Sequence, residues 1–161
     1  MSPKAGAFWP TLVIVYALDF VTKRLAEAHL APMHVPHHII GDVVRFTLAY
    51  NRDAAMGLSL GPYSRVGFTI TAALILALLG VLYRRTPSGD RVSALSLGLI
   101  AAGALGNLTD RLMSARGVVD FVDVGIGNAR FWTFNIADAG VTCGAILFAL
   151  ISLRSQKKEE A

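Results

Sequence analysis

The sequence has few charged residues for its length. Only 16% of its 161 residues are Asp, Glu, Lys or Arg, whereas 54% are hydrophobic. Soluble domains are about one quarter charged, so this composition favours a membrane protein. The apolar residues are clustered into four stretches that contain almost no charge, at residues 5–20, 66–83, 92–109 and 139–153. Because about 20 apolar residues cross a bilayer as a helix, we expect four transmembrane helices near residues 7–26, 64–84, 92–111 and 137–154.

Cysteine is nearly absent as well. Cys143 is the only cysteine, so an internal disulfide is excluded, and we interpret it as a small buried hydrophobic residue of the fourth helix. The zinc-binding motif HExxH is missing, and the histidines at 34, 37 and 38 lie among prolines in segment 31–38, which we predict to be a loop. We therefore expect neither a metal nor an organic cofactor.

Basic residues are present but dispersed. The net charge is +4 and the isoelectric point is near 9.6, yet these residues flank the apolar stretches, which favours contact with a membrane surface over binding of nucleic acid. Lysine and arginine are concentrated in the short segments before the first helix, at 84–91 and after residue 153. The positive-inside rule then predicts both termini in the cytoplasm and the longer segments 27–62 and 111–136 on the opposite side.

One of these longer segments has the pattern of a strand. In VVRFTLAY, at residues 43–50, Val44, Phe46, Leu48 and Tyr50 alternate with the residues between them, which is typical of a half-buried strand. The segment RFWTF at 130–134 is a candidate for pairing with it. We therefore predict an all-α integral membrane protein, with four transmembrane helices and a small extracytoplasmic β-sheet and loop region, in a single domain of residues 1–161.

Polar residues lie at the ends of the first and third apolar stretches. Asp19 and Lys23 are four residues apart and can pair on one helix face. Asn107, Asp110 and Arg111 follow an i, i+3, i+4 spacing and share another helix face. Each set is explained either by an ion pair at the membrane interface or by a functional site. The first, third and fourth helices all place polar groups at the same membrane face, which favours a site.

The segment VVDFVDVGIGNARFWTFNIAD, at residues 118–138, carries three aspartates. Asp120 has apolar neighbours, Asp123 is interpreted as a solvated loop residue, and Asp138 lies in the first turn of the fourth helix. Asn135 and Asp138 are explained by helix capping alone, since a cap and an acidic first turn stabilise a helix. If the segment folds back and brings two carboxylates together, they share a proton and can activate water. The sequence leaves both alternatives open.

Five stretches in order resemble one known family. They are DFVTK (19–23), NRDAAMG (51–57), GALGNLTDR (103–111), VVDF (118–121) and FNIAD (134–138). With the four helices, they resemble lipoprotein signal peptidase, or signal peptidase II, an aspartic protease of bacterial membranes. The resemblance implies that Asp120 and Asp138 are catalytic, one as general base and the other as general acid, in an order that it does not assign. It also implies that further residues bind substrate or support the site, namely Asp19, Lys23, Asn51, Asn107, Asp110, Arg111 and Asn135.

The resemblance also implies the substrate and the location. The substrate would be a prolipoprotein with a diacylglyceryl group on a cysteine, cleaved just before that cysteine near the outer face of the bacterial cytoplasmic (inner) membrane. Membrane lipid is then a partner, nucleic acid is not, and we expect a monomer. Asp53 and Met56 depart from the family pattern, which has Gly and an aromatic residue there. Two other classes stay open: a proton-coupled transporter, since intramembrane acids also mark ion paths, and a non-catalytic scaffold.

Overall fold

Four long helices account for most of the chain. The computed structural model describes residues 1–53 and 59–159, and its helices are α1 (Pro3–His29), α2 (Ser64–Arg85), α3 (Arg91–Met113) and α4 (Ile136–Glu159). All four contain segments that are long and apolar enough to cross a membrane. The expectation of four such helices is therefore confirmed.

Helix α3 lies at the centre of the bundle. Half of its most apolar window is buried, compared with 17% or less in the other three helices. Its buried face is made of small residues, which let neighbouring backbones approach closely. A Cβ atom on Gly103 would overlap the Ala137 carbonyl oxygen of α4, so only glycine fits there. This close packing fixes the position of the first turn of α4, which contains Asp138.

Side chains form hydrogen bonds with free backbone groups at the helix ends. Asp90 caps α3 by accepting a 2.9 Å hydrogen bond from the Ser93 backbone N–H. Lys4, near the start of α1, donates to the carbonyl oxygens of Tyr83 (3.0 Å) and Thr86 (2.7 Å) at the end of α2. A lysine at a helix C-terminus stabilises its free carbonyl groups. These contacts join the start of α1 to the end of α2, at the end of the bundle opposite Asp138.

A four-stranded antiparallel sheet accompanies the helices. Its strands are β1 (His37–Ile40), β2 (Val44–Asn51), β3 (Val118–Ile126) and β4 (Ala129–Arg130), in the spatial order β1-β2-β3-β4. Ala49 of β2 lies opposite Asp120 of β3. The expected small sheet is thus present, and the fold is mostly helical rather than strictly all-α.

The sheet packs against the end of α1. Leu48, Val119 and Phe121 form a buried cluster with Ala26 of α1, and Phe46 and Tyr50 pack around it. Phe46, Leu48 and Tyr50 are three of the four alternating residues of VVRFTLAY that the sequence places on one face. Burial of this face fixes β3, and with it Asp120, relative to the helices.

Three details of the sequence interpretation are wrong. The strands that pair with β2 are β1 and β3, whereas RFWTF lies on the other side of β3, where Phe134 pairs with Val122. The segment 31–38 is not entirely loop, because β1 begins at His37. Cys143 is exposed on α4 rather than buried. An outward face of a membrane helix is apolar because lipid surrounds it, so hydrophobicity alone does not distinguish lipid-facing from buried positions.

Candidate active site

Asp120 and Asp138 line one cavity of about 260 Å³. Asp120 projects from β3 and is only 3% exposed, whereas Asp138 lies in the first turn of α4 and is partly exposed. The segment between them folds back along β3, because the Phe134 N–H donates to the Val122 carbonyl at 3.0 Å. The remaining residues of the lining are Asn51, Asn107, Arg111, Val118, Phe131, Trp132, Thr133, Phe134, Val141 and Thr142.

Asn135 contacts both carboxylates. Its side-chain Nδ2 donates a 2.7 Å hydrogen bond to Asp120 Oδ1, and its backbone N–H donates to Asp138 Oδ2 at 3.2 Å. Its Oδ1 accepts from the Asp138 backbone N–H at 2.9 Å, which is the helix cap expected from the sequence. The capping and site interpretations are therefore compatible, since one residue makes both sets of contacts.

Asn107 of α3 supplies a second donor to Asp138. Its Nδ2 donates to Asp138 Oδ1 at 2.8 Å, while its Oδ1 accepts from Lys23 Nζ at 2.9 Å and from Asn135 Nδ2 at 3.1 Å. Asp138 thus receives one N–H on each carboxylate oxygen. Two such donors stabilise an ionised carboxylate.

The Asp120 carboxyl is in a different environment. Burial, followed by the negative charge of Asp138, raises the pKa of Asp120 to about 7. Hydrogen bonds from the side chains of Asn51 and Asn135 and the charge of Lys23 act in the opposite direction but are smaller effects. A carboxyl group with a pKa near 7 can both hold and release a proton at neutral pH.

Lys23 is buried beside this pair. The side chain is 1% exposed, and Nζ lies 2.8 Å from Asp19 Oδ2 and 3.0 Å from Asp110 Oδ2. The pairing of Asp19 with Lys23 agrees with the spacing in the sequence. Asp110 does not pair with its neighbour Arg111, because its ion pairs are with Lys23 and with Arg24 Nη2 at 3.0 Å.

Arg111 lies on the other side of the cavity. Its guanidinium donates to the carbonyl oxygens of Asn107 (3.3 Å) and Asp53 (3.1 Å) and lies 5.8 Å from the centre of the Phe68 ring. The Nε atom is buried and has no hydrogen-bond partner within residues 1–53 and 59–159.

Asn51 lies at the end of β2, on the cavity wall. Its Oδ1 accepts a 3.0 Å hydrogen bond from the Asp53 backbone N–H. Hydrogen bonds from Ser64 and Ser59 lower the pKa of Asp53, and the Ser59 hydroxyl donates to its Oδ1 at 2.8 Å. Met56 lies outside the described residues. Ser59 belongs to GLSLG, which has the Gly-x-Ser-x-Gly spacing of serine hydrolases, but its described side-chain partners are Asp53, Ser64 and Gly61 rather than a histidine.

Asp123 is not the solvated loop residue expected from the sequence. It lies within β3, is 5% exposed, and pairs with Arg45 (2.7 Å) and Arg130 (2.5 Å). Burial alone would raise its pKa, but hydrogen bonds from Arg130, Arg45 and Thr47 together lower it. Asp123 does not line the cavity that holds the other two aspartates.

Sequence reasoning missed the aromatic side of the site. Phe131 and Trp132 line the cavity but remain 55% and 58% exposed, and Phe131 also packs against Phe134. RFWTF was interpreted only as a strand. Aromatic residues just before a transmembrane helix are typical of the membrane interface, and this signal could have indicated a lipid-proximal cavity wall.

Within the part of the chain that the structure describes, no three His, Cys, Asp or Glu residues are close enough together to hold a metal ion. The polar side chains that line the cavity are two carboxylates, two carboxamides, one guanidinium and two hydroxyls, namely those of Asp120, Asp138, Asn51, Asn107, Arg111, Thr133 and Thr142. Unequal carboxylates of this kind suit acid–base activation of water.

Comparison with known proteins places similar chains in one group. The family model described as signal peptidase (SPase) II matches residues 11–154. A lipoprotein signal peptidase of Pseudomonas paraeruginosa is 38% identical over 156 residues, covering 95% of this chain and 90% of that protein. One from Aquifex aeolicus is 41% identical over 143 residues, covering 86% and 80%. A solved structure of a bacterial membrane enzyme at 2.3 Å resolution superposes with a TM-score of 0.85 at 29% identity, covering 95% of this chain and 91% of that one.

Proposed function

The chain belongs to the signal peptidase II family, and we propose that it removes signal peptides from diacylglyceryl-modified prolipoproteins by cleaving just before the lipidated cysteine. Membership makes it an aspartic-type peptidase of a bacterial membrane. The observation that carries the assignment of the site is that Asp120 and Asp138 line one cavity and are both hydrogen-bonded by Asn135. We propose these two residues as the catalytic pair, within a single peptidase domain of residues 1–161.

Asp138 acts as the general base. Its two oxygens each accept an N–H, from Asn107 and from the Asn135 backbone, and these hydrogen bonds fix the orientation of the carboxyl group in the cavity. It is also the more exposed of the pair, so water reaches it more readily. In the reaction Asp138 takes a proton from water as the water oxygen bonds to the scissile carbonyl carbon.

Asp120 acts as the general acid. Its raised pKa, about 7, keeps a large share of the carboxyl groups protonated at neutral pH. Asn135 donates to Oδ1 at 2.7 Å and orients the carboxyl group in the cavity. Asp120 first protonates the carbonyl oxygen as the tetrahedral intermediate forms. Asp138 then gives the proton that it took from water to the leaving amide nitrogen, while ionised Asp120 takes a proton from a hydroxyl of the intermediate, and the C–N bond breaks.

The surroundings of the cavity suit a lipid-linked substrate. Phe131 and Trp132 form an exposed aromatic wall beside two polar carboxyl groups. Acyl chains can remain in the bilayer while the peptide bond enters the cavity, since aromatic residues are favoured at the boundary between lipid and water. We place this face on the extracytoplasmic side of the inner membrane, with both termini in the cytoplasm, and propose a monomer that needs no metal or organic cofactor.

The test is cleavage of a diacylglyceryl-modified prolipoprotein by the purified full chain in detergent. Asp120→Asn and Asp138→Asn remove one carboxylate each, and Asp123→Asn is the matched control outside the cavity. We expect the wild type and Asp123→Asn to cleave before the lipidated cysteine. The other two variants should remain folded and lose turnover by at least about 1000-fold. The loss is large because the acid and the base work together, so that removing either one removes the contribution of both.

Two results would contradict the proposal. Cleavage by folded Asp120→Asn and Asp138→Asn at the wild-type rate would remove these residues from the reaction. Absence of cleavage by well-folded wild type, with a substrate that a known lipoprotein signal peptidase processes, would remove the activity itself.

A further inference from the structure

The residue before each proposed catalytic aspartate is held in the same way. The Ala137 backbone N–H, next to Asp138, donates a 2.8 Å hydrogen bond to Asp19 Oδ1. The Val119 backbone N–H, next to Asp120, donates a 3.1 Å hydrogen bond to Asp110 Oδ2. A buried carboxylate therefore holds the backbone beside each member of the pair.

A single ammonium group joins these two carboxylates. Lys23 Nζ lies 2.8 Å from Asp19 Oδ2 and 3.0 Å from Asp110 Oδ2. The same Nζ donates to Asn107 Oδ1 at 2.9 Å, which leaves the Asn107 Nδ2 to face Asp138. Lys23 thus connects the backbone of α4, the backbone of β3 and the amide that contacts Asp138.

We propose that Asp19, Lys23 and Asp110 form a positioning bracket that sets the separation and orientation of Asp120 and Asp138. The inference rests on the proposed function and adds a role for the ion pairs of α1. None of the three residues lines the cavity, so within the described residues they act through other groups rather than on substrate.

Stability alone does not explain this arrangement. Removing an ammonium and carboxylates from water is costly, and replacing a buried ion pair by apolar residues is often neutral or stabilising. Asp19 and Lys23 are each 1% exposed, so they bear this cost in full. Catalysis, in contrast, is sensitive to placement, because a displacement of about 1 Å can lower the rate about 100-fold.

The test uses a variant from which both members of one buried pair are removed. Asp19→Asn with Lys23→Met leaves no unpaired charge on α1, and the new amide can still accept from the Ala137 N–H. Asp110 keeps its ion pair with Arg24 at 3.0 Å, so the variant should fold. Arg45→Met is the matched control, since it removes the cation of a different ion pair, the one between Arg45 of β2 and Asp123 of β3. Asp123 keeps an ion pair with Arg130 in this variant.

Two measurements follow. We expect kcat of the double variant for a diacylglyceryl-modified prolipoprotein to fall about 100-fold with KM unchanged, and Arg45→Met to keep kcat. In NMR spectra of the detergent-solubilised chain, the Val119 amide signal should shift in the double variant, because its hydrogen-bond acceptor Asp110 Oδ2 loses the ion pair with Lys23.

The outcomes separate the bracket from the proposed function. Unchanged kcat in the folded double variant, a loss confined to KM, or an equal loss in Arg45→Met would overturn the bracket. An unmoved Val119 signal would show that the two carboxylates act independently and would overturn it as well. If wild type itself fails to cleave, the proposed function fails, whereas the NMR result still decides whether Lys23 couples the two backbone segments.

Discussion

The Asn135 side chain donates a 2.7 Å hydrogen bond to Asp120, and the same side chain caps α4 by accepting from the Asp138 backbone N–H. Its backbone N–H donates to Asp138, so one asparagine connects a strand residue with a helix residue. The cap that starts the helix and the contact that orients the acid are therefore the same structural feature. A substitution at this position should affect stability and chemistry together.

Asn135→Ala should lower kcat about 100-fold and cost about 1–2 kcal/mol of stability, because it removes a helix cap and a donor to the proposed acid. Turnover and thermal unfolding of the purified variant measure the two effects. Asp90→Ala is the control, since it removes the cap of α3 at the opposite end of the bundle. Equal losses of kcat in both variants would mean that capping alone explains the effect.

The pH dependence of turnover should show a fall above about pH 7. Asp120 has to carry a proton to act as acid, and its pKa is raised to about 7, first by burial and then by the charge of Asp138. The measurement is kcat from pH 4 to 9 under conditions where chemistry limits the rate, and a flat profile would contradict the assignment.

The same pKa predicts that Asp120 destabilises the folded state as pH rises. The folded carboxyl binds its proton between about pH 4 and 7, whereas the unfolded carboxyl, with a pKa of 3.8, has released it. Stability therefore declines across this window and reaches its minimum above the folded pKa. The carboxamide of the Asp120→Asn variant cannot ionise. The free energy of unfolding of this variant should therefore exceed that of wild type by an amount that grows to about 2–4 kcal/mol by pH 8. Thermal unfolding of both proteins at pH 4.5 and 8 measures the difference, and a constant difference would contradict the raised pKa.

The helices were predictable because a bilayer imposes their length and apolarity. Contacts within one helix turn were predictable too: Asp19 pairs with Lys23, and Asn135 caps the helix that carries Asp138. These depend on spacings of three or four residues, which a sequence displays directly. The strand pattern of β2 was visible for the same reason, since side-chain alternation is local.

Contacts between distant segments were not predictable. Arg45 and Asp123 are 78 residues apart, and their pairing depends on the register of β2 and β3. Without that register Asp123 had no visible partner and was interpreted as solvated. The pairing of Asp110 with Lys23 rather than with Arg111 likewise depends on how α1 packs against α3. A single sequence contains no signal for either arrangement.

The Asp123 ion pairs predict a loss of stability without a loss of chemistry. Asp123→Asn removes a buried carboxylate from between Arg45 and Arg130, and breaking such a pair costs about 3 kcal/mol. Turnover per folded molecule should match wild type, because Asp123 lies outside the cavity. Unfolding and kcat measure the two quantities. Asp42→Asn, which removes a more exposed partner of Arg45, should cost less, and a larger loss there would contradict the role of burial.

The contact between α3 and α4 predicts the effect of one added methyl group. Gly103→Ala would bring a Cβ atom against the Ala137 carbonyl oxygen and the Val141 side chain, so α4 has to move away from α3. Such a movement displaces Asp138, which follows Ala137 directly, and we expect kcat to fall at least about 10-fold together with a loss of stability of about 1–3 kcal/mol. Gly80→Ala on α2 is the matched control, because a Cβ atom there meets no other atom within 4 Å. Turnover and unfolding of both variants measure the effect. A Gly103→Ala protein as active and stable as Gly80→Ala would show that the close approach of the two helices does not position Asp138.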